Sequence, residues 1–230
     1  VKRFYGEPIP HVDPKVLQGK LIVIEGADGS GRSTQVQLLN DWLEGHGHAT
    51  VTVGLRRSNL VSKQLDKAKE GNVLGHTTLS LFYATDFADQ LENVIIPGLR
   101  AGFVVLADRY IYTLMARDIV RGADPEWCRS VYSIAVIPDV VFYLRTTPRI
   151  LIERNFQKRD SLDYWESGMD ISLSRDMFES FIKYQRLIQA EFKKMSEVYG
   201  FIEINGNRSI RRIASDLQAE VDSVLGVGTT

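Results

Sequence analysis

The residues with the most chemical content stand together early in the chain: Gly26-Ala27-Asp28-Gly29-Ser30-Gly31-Arg32-Ser33-Thr34. Glycine at 26, 29 and 31 leaves backbone N–H groups open to the close approach that a polyphosphate requires. The segment fits G-x-x-x-x-G-K-[ST] at every fixed position but one, where Arg32 replaces lysine. The apolar run Leu21-Ile22-Val23-Ile24 precedes it, and Val36, Leu39 and Leu43 recur at helical spacing after it. A strand, loop and helix in that order aim the positive end of the helix dipole at the loop. The Ser33 hydroxyl suits Mg²⁺ held between phosphate oxygens. An ordinary glycine turn needs none of these flanking features.

Arg32 keeps the positive charge and can bridge two phosphate oxygens. A planar guanidinium is nevertheless not interchangeable with a compact ammonium. Either the site is adjusted around arginine and still transfers phosphate, or turnover has been lost and binding retained. The first is favoured, because Asp28, Ser33, Asp108 and Arg109 are all present. Asp108-Arg109-Tyr110 forms a second cluster, directly after the buried-strand pattern Phe103 to Ala107. Ligands of open α/β sheets bind beyond the carboxyl ends of the strands. An aspartate there can hold metal-bound water, and an arginine can clamp a phosphate. The plainer alternative is a capped helix entry.

The elements that must position these residues alternate between strand-like and helix-like, which predicts an α/β fold with a parallel sheet and helices on both faces. Strands are expected at Leu21 to Ile24, Thr50 to Val53, Phe103 to Ala107, Val140 to Leu144 and Phe201 to Ile204. Helices are expected from Ser33 to Glu44, from Val61 to Lys69, and from Thr77 to Ile96 with Pro97 and Gly98 ending the last. Met177, Phe181, Tyr184, Ile188, Phe192 and Met195 form a stripe at helical spacing, read as core. Residues 1–19 read as an extended arm, and the charged stretch from Gln157 to Asp170 as a mobile loop.

The 230 residues carry a formal charge of -1, with 44% hydrophobic and 25% charged side chains. That balance suits a single globular domain and lacks the strongly basic footprint of a nucleic-acid-polymer binder. A single cysteine, Cys128, cannot build a disulfide framework, which points to a reducing compartment. No run reaches the length of a membrane span, and residues 1–19 lack the apolar core of a signal peptide. The expectation is a cytoplasmic protein without a membrane partner.

Glu25 through Gln35, together with Phe103 through Tyr110, resembles the thymidylate kinase family. The order of further segments agrees: a basic loop at Arg56-Arg57, a helix from Leu81 to Pro97, Pro138-Asp139 before the fourth strand, and a lid after Pro148. The likeness runs from about Lys20 to Leu217. It implies a P-loop kinase domain over 20–225 with a five-stranded parallel sheet, a lid near 157–172, and a homodimer. It also implies transfer of the ATP γ-phosphoryl group to a nucleoside monophosphate, by default dTMP, with Mg²⁺.

Carried over by position, Asp28 approaches the acceptor sugar and metal, and Arg57 and Arg109 hold the acceptor phosphate. Ser33 and Asp108 serve the metal, Asp108 through water. Arg154 and Arg159 are the lid candidates, with Arg159 joining Arg32, Asp108 and Arg109 in the catalytic set. The pattern is broken in places. Leu162-Asp163-Tyr164 stands where the family often has Leu-Asp-Arg. Aligned backwards from Pro97 without a gap, Tyr83 falls at the position of an aromatic that stacks on thymine and Phe87 where an arginine bonds the base; a shift of one residue puts Phe82 and Asp86 there instead, still without arginine. Arg117-Asp118 replaces a common Tyr-Gln pair. Arg117 is read as a substitute donor from the opposite wall, and ionised Asp118 as an acceptor suited to a base edge that offers a donor. Plainer readings make Phe87 core and Arg117-Asp118 a surface ion pair. Two further functional readings stand beside this one: a nucleotide sensor without turnover, and a kinase for another phosphate acceptor.

Overall fold

The computed structural model describes residues 1–71, 74–158 and 162–226. Five parallel strands form one sheet: β1 (Lys20–Gly26), β2 (Thr50–Gly54), β3 (Val104–Asp108), β4 (Val140–Arg145) and β5 (Ile202–Asn205), in the order β2-β3-β1-β4-β5. Around them lie α1 (Arg32–Gly45), α2 (Ser62–Gly71), α3 (His76–Gln90), α4 (Ile96–Arg100), α5 (Ile111–Val120), α6 (Pro125–Val131), α7 (Pro148–Lys158), α8 (Met177–Tyr199) and α9 (Ile210–Leu225). The continuous apolar runs of the central strands follow from burial on both faces. Leu21 and Val23 of β1 enter a core with α3, α5 and α8, while Ile22 and Ile24 enter a second core with α1 and α9. The stripe on α8 is core as expected, with Phe181, Tyr184, Ile188, Phe192 and Met195 all buried.

The long helix expected from Thr77 to Ile96 is interrupted differently. After α3 the chain makes a π-helical turn, Leu91–Ile95, and continues directly into α4, which contains Pro97 and Gly98. The Ile96 N–H bonds back to Leu91 O, five residues earlier. Proline cannot donate to the helical ladder, and the wider turn just before it shifts the register where that donor is missing. Pro97 therefore begins a short helix and does not end a long one. The charged stretch read as a mobile loop is packed where it is described. Ser180 Oγ donates to Ser167 O at 2.7 Å, Gln185 Nε2 donates to Glu166 O at 3.1 Å, and Leu162 and Ser167 are buried. Near the N-terminus, Phe4 pairs with Val136 in an antiparallel bridge and is buried, as is Leu17.

The sheet places the chemistry at the carboxyl ends of its strands. β1 lies between β3 and β4, with Ile24 and Gly54 both in register with Asp108. The ends of β1, β2 and β3 thus open into one crevice, where ligands of such sheets bind.

Candidate active site

The loop after β1 is built as its glycines require. Gly29 and Gly31 have φ of +85° and +94°, which side chains rarely adopt. A Cβ on Gly29 would stand 2.9 Å from Asn155 Nδ2 and 3.0 Å from Leu151 O. The loop leads into α1, whose first turn supplies unpaired N–H groups for an anion. Beside it is a cavity of about 560 Å³, walled by Asp28 through Gln35, Arg154, Asn155, Gln157 and Arg208 to Ile210. Arg154 Nη1 donates to Ser30 O at 3.1 Å, and Asn155 Nδ2 donates to Asp28 O at 3.1 Å. Arg159 lies outside the described residues.

Arg32 is buried and folded beneath the loop. Its Nη1 donates to Ala27 O at 2.6 Å and to Gly26 O, and its Nε donates to Asp108 Oδ1 at 3.0 Å. Its Nη2 is 3.4 Å from Asp28 Oδ1. Burial works against the Arg32 charge, but Asp108, Asp28 and Glu25 overcome it and raise its pKa. Ser33 Oγ donates to Asp108 Oδ2 at 2.8 Å. Burial opposes ionisation of Asp108, and Arg32, the Ser33 bond and Arg109 outweigh it, so the carboxyl stays below its ordinary range. Ser33 and Asp108 are hard oxygen donors, which fits Mg²⁺ carried in with a nucleotide and ligated mainly by phosphate and water. Among the described residues, no group of three His, Cys, Asp or Glu forms a metal cage of its own.

A second cation cluster surrounds Asp28. Arg109 Nη2 contacts Asp28 Oδ1, and Arg117 Nη2 lies 3.2 Å from Asp28 Oδ2. Arg109 has φ +73°, a left-handed conformation that costs on the order of 1–3 kcal/mol in a non-glycine residue. Its Nε is buried without a hydrogen-bond partner. Backbone strain and an unspent donor on one arginine are the marks of a group held ready for a ligand. Arg57 completes the arc, 43% exposed at its side chain, with Nη2 3.7 Å from Asp108 Oδ2.

Burial would raise the Asp28 carboxyl, but Arg109, the hydrogen bond with Glu166, Arg32 and Arg117 hold it well below the usual range. Its neighbour Glu166 moves the other way, pushed up to about 8 by burial and then by the negative charge of Asp28. Behind these groups, Glu25 is wholly buried and accepts from the N–H groups of Tyr110 and Thr113 at 2.9 and 3.2 Å. It caps α5 from another strand and so fixes the Asp108-Arg109-Tyr110 turn.

From Asp28 the hollow continues along α5. A small pocket of about 30 Å³ is walled by His76, Leu79, Tyr83, Leu114, Arg117, Asp118, Arg121 and Trp165. It shares His76, Asp118 and Arg121 with a cavity of about 450 Å³ that reaches Ser80, Asp124 and Trp127. Tyr83 stands in the pocket wall. Phe87 stands behind it in the core, edge-on to Tyr110 at 5.2 Å and to Tyr132 at 6.0 Å between ring centres. Arg117 and Asp118 do not pair with each other, since adjacent helical residues point apart. Arg117 is bound to Asp28 and faces Glu166 at 3.8 Å, while Asp118 accepts from Ser80 Oγ. Burial raises the Asp118 carboxyl.

Sequence reasoning missed Arg121, Glu166, Trp165 and Asp170. Arg121 Nε and Nη2 grip Asp170 at 2.7 and 3.1 Å, and its remaining N–H groups reach Trp165 O, Tyr184 OH and Arg117 O. All five guanidinium donors are therefore spent. Asp163 Oδ1 accepts from the N–H groups of Trp165 and Glu166, setting the turn that presents them. The signal available in sequence was Arg121 one helical turn beyond Arg117, on the same face.

A parallel sheet with a glycine loop feeding a helix, an Asp-Arg turn on the next strand and two arginine clusters flanking one crevice define a P-loop nucleoside monophosphate kinase. The family model described as thymidylate kinase matches residues 24–216. A probable thymidylate kinase 2 of Saccharolobus solfataricus is 40% identical over 211 residues, covering 91% of this chain and 97% of the relative. A probable thymidylate kinase of Thermococcus kodakarensis is 29% identical over 215 residues, covering 89% and 98%. A thymidylate kinase of Caldicellulosiruptor saccharolyticus is 28% identical over 222 residues, covering 91% and 98%. The chain belongs to the thymidylate kinase family.

Proposed function

We propose that the protein transfers the γ-phosphoryl group of ATP to the phosphate of dTMP, giving ADP and dTDP. The observation that carries this reading is the pair of basic clusters on the two sides of Asp28 and Asp108: the glycine loop with Arg32 on one side, Arg57, Arg109 and Arg117 on the other. One side suits the polyphosphate of the donor, and the other a second phosphate facing it. In the reaction the bond between the ATP γ-phosphorus and its bridging oxygen to the β-phosphate breaks. A new bond forms from the γ-phosphorus to an oxygen of the acceptor phosphate. That oxygen is already anionic, so no strong general base is needed, and catalysis rests on positioning and charge stabilisation. Mg²⁺ supplies charge neutralisation when bound, with Ser33 and Asp108 as its protein ligands, Asp108 through water. Arg154 and Arg159 serve as the lid arginines over residues 157–172.

The donor's remaining portion fits the cavity between Arg154 and Ile210, and the acceptor base is assigned to the larger hollow walled by His76, Ser80, Asp118 and Trp127, which adjoins the small pocket at Tyr83. The kinase domain is taken as 20–225 with 1–19 as an arm. A homodimer follows the family resemblance, and a cytoplasmic setting fits a buried, unpaired Cys128. A second reading, in which another nucleoside monophosphate is the better acceptor, comes from Arg117 and Asp118 in the wall of the pocket beside Tyr83. A coupled ADP-release assay with ATP, Mg²⁺ and dTMP, dUMP, dCMP, dGMP and dAMP tests both. ADP release dependent on a nucleoside monophosphate is expected. Release indifferent to every acceptor would overturn the assignment.

A further inference from the structure

Asp86 is wholly buried on α3 and, among the described residues, has no ion pair. Its carboxylate is committed to the loop that follows β2. Oδ2 accepts from the Arg56 N–H at 2.8 Å, and Oδ1 accepts from the Ser58 N–H at 2.9 Å. Those two N–H groups bracket Arg57. One turn further along the helix, Gln90 Nε2 donates to Asp86 Oδ2 at 3.0 Å, and Gln90 Oε1 accepts from the Gly54 N–H at 3.2 Å. Ser58 Oγ donates to Asp89 Oδ2 at 2.6 Å. The N–H groups of residues 54, 56 and 58 are thus all taken by side chains of one helix.

The guanidinium of Arg56 turns away to Asp66 at 2.9 Å and leaves the carboxylate to the backbone. Arg56 itself has φ +58°, so the loop is strained where Asp86 holds it. On the far side, Arg57 Nη1 donates to Val53 O at 3.3 Å, and its guanidinium packs on Gly54 towards Asp108. A Cβ at Gly54 would stand 3.1 Å from Arg57 Nε and 2.8 Å from Asp108 O. Burying a carboxylate without a cation is costly. Burial does push the Asp86 carboxyl up, and the bonds from Ser58 and Arg56 only partly offset it. Each of the two N–H donors has its own carboxylate oxygen, and an amide side chain would present an oxygen to one and an NH₂ group to the other.

We propose that Asp86 is a positioning residue for phosphoryl transfer, holding the backbone on both sides of Arg57 so that its guanidinium faces the acceptor phosphate beside Asp108. The proposal rests on the reading of Arg57 as a clamp on that phosphate. The test is a double-mutant cycle with Asp86→Asn and Arg57→Ala, measuring kcat and KM for dTMP and ATP separately, with melting temperatures for every variant. Asparagine keeps the shape but turns an NH₂ towards one N–H donor, so one bond is lost. A lost bond of this kind is worth about a tenfold change. Asp86→Asn should raise the KM for dTMP about tenfold while the KM for ATP and the saturated kcat move less than about twofold. In the Arg57→Ala background the same substitution should add nothing.

If Asp86→Asn fails to fold at the assay temperature, Gln90→Leu carries the same test, because it removes the support of Asp86 Oδ2 and of the Gly54 N–H. An unchanged KM for dTMP, a parallel rise in the KM for ATP, or an equal effect with and without Arg57 would overturn the proposal. Arg57→Ala with an unaltered KM for dTMP would remove the clamp reading itself, and the proposal with it.

Discussion

Arg32 occupies the position where the phosphate-loop pattern has lysine, and its surroundings set the size of two distinct losses. Arg32→Ala leaves Gly26 O and Ala27 O without their guanidinium donor and takes one cation from each of Asp108 and Asp28. Asp108 keeps Ser33 and Arg57, and Asp28 keeps Arg109 and Arg117. The residual partners bring the expected cost to the usual range for breaking a buried ion pair, about 3–5 kcal/mol. For a chain of this length that lowers the melting temperature by roughly 6–20 °C. Arg32→Lys keeps a charge with three donors and should cost about 1–2 kcal/mol. The catalytic loss is separate. A cation that neutralises the transferring phosphoryl group is worth about 10³-fold or more in kcat. Arg32→Ala should therefore lose at least that factor at a temperature where it is folded, and Arg32→Lys should retain measurable turnover. The assay is coupled ADP release at saturating ATP and dTMP, run alongside thermal melts. An Arg32→Ala enzyme that melts lower yet keeps its kcat within about threefold would show that the guanidinium only braces the loop.

Four further outcomes are expected. ATP with Mg²⁺ should raise the melting temperature in proportion to the logarithm of its concentration, and a flat titration to millimolar ATP would remove the phosphate-loop assignment. Arg117→Ala and Asp118→Asn should alter the ranking of specificity constants among the five nucleoside monophosphates more than they alter the KM for ATP; an exclusive dTMP preference surviving both would refute an altered base pocket. Glu166, pushed up to about 8, keeps a proton in the folded state that the unfolded chain has already released between its ordinary pKa and that value, so stability falls as pH rises through the window. Glu166→Gln should accordingly melt above wild type near about pH 9 and converge with it towards about pH 5, and a difference independent of pH would contradict the buried pair. Phe87→Ala should cost about 3–5 kcal/mol as a core truncation while leaving the KM for dTMP nearly unchanged, and a large KM effect without loss of stability would place Phe87 at the substrate.

The parts of this molecule written in local pattern could be read from sequence. The five strands appear within two residues of their apolar runs at every boundary, because doubly covered strands have a composition that loops do not share. The glycine loop, Ser33 and Asp108 meet at one crevice because their order along the strands already encodes it. What sequence did not convey was long-range pairing. Nothing local marks Glu25 as the cap of α5, Asp86 as the holder of the Arg56 and Ser58 N–H groups, or Arg121 as the clamp on Asp170. A charged side chain in a helical pattern reads the same whether solvated or buried against a backbone 30 residues away. The Pro97 misreading has another origin: a proline ends a helix only if the preceding ladder cannot shift, and here a π turn shifts it.

The central claim is the transfer of one phosphoryl group from ATP onto a phosphate already carried by the acceptor. Phosphorus NMR of the reaction with ATP, Mg²⁺ and dTMP follows the γ-phosphorus directly. The expected result is ADP and dTDP in equal amounts, with the transferred phosphorus as the β-phosphate of dTDP. Inorganic phosphate in place of dTDP, or a new phosphate on a sugar hydroxyl, would contradict it.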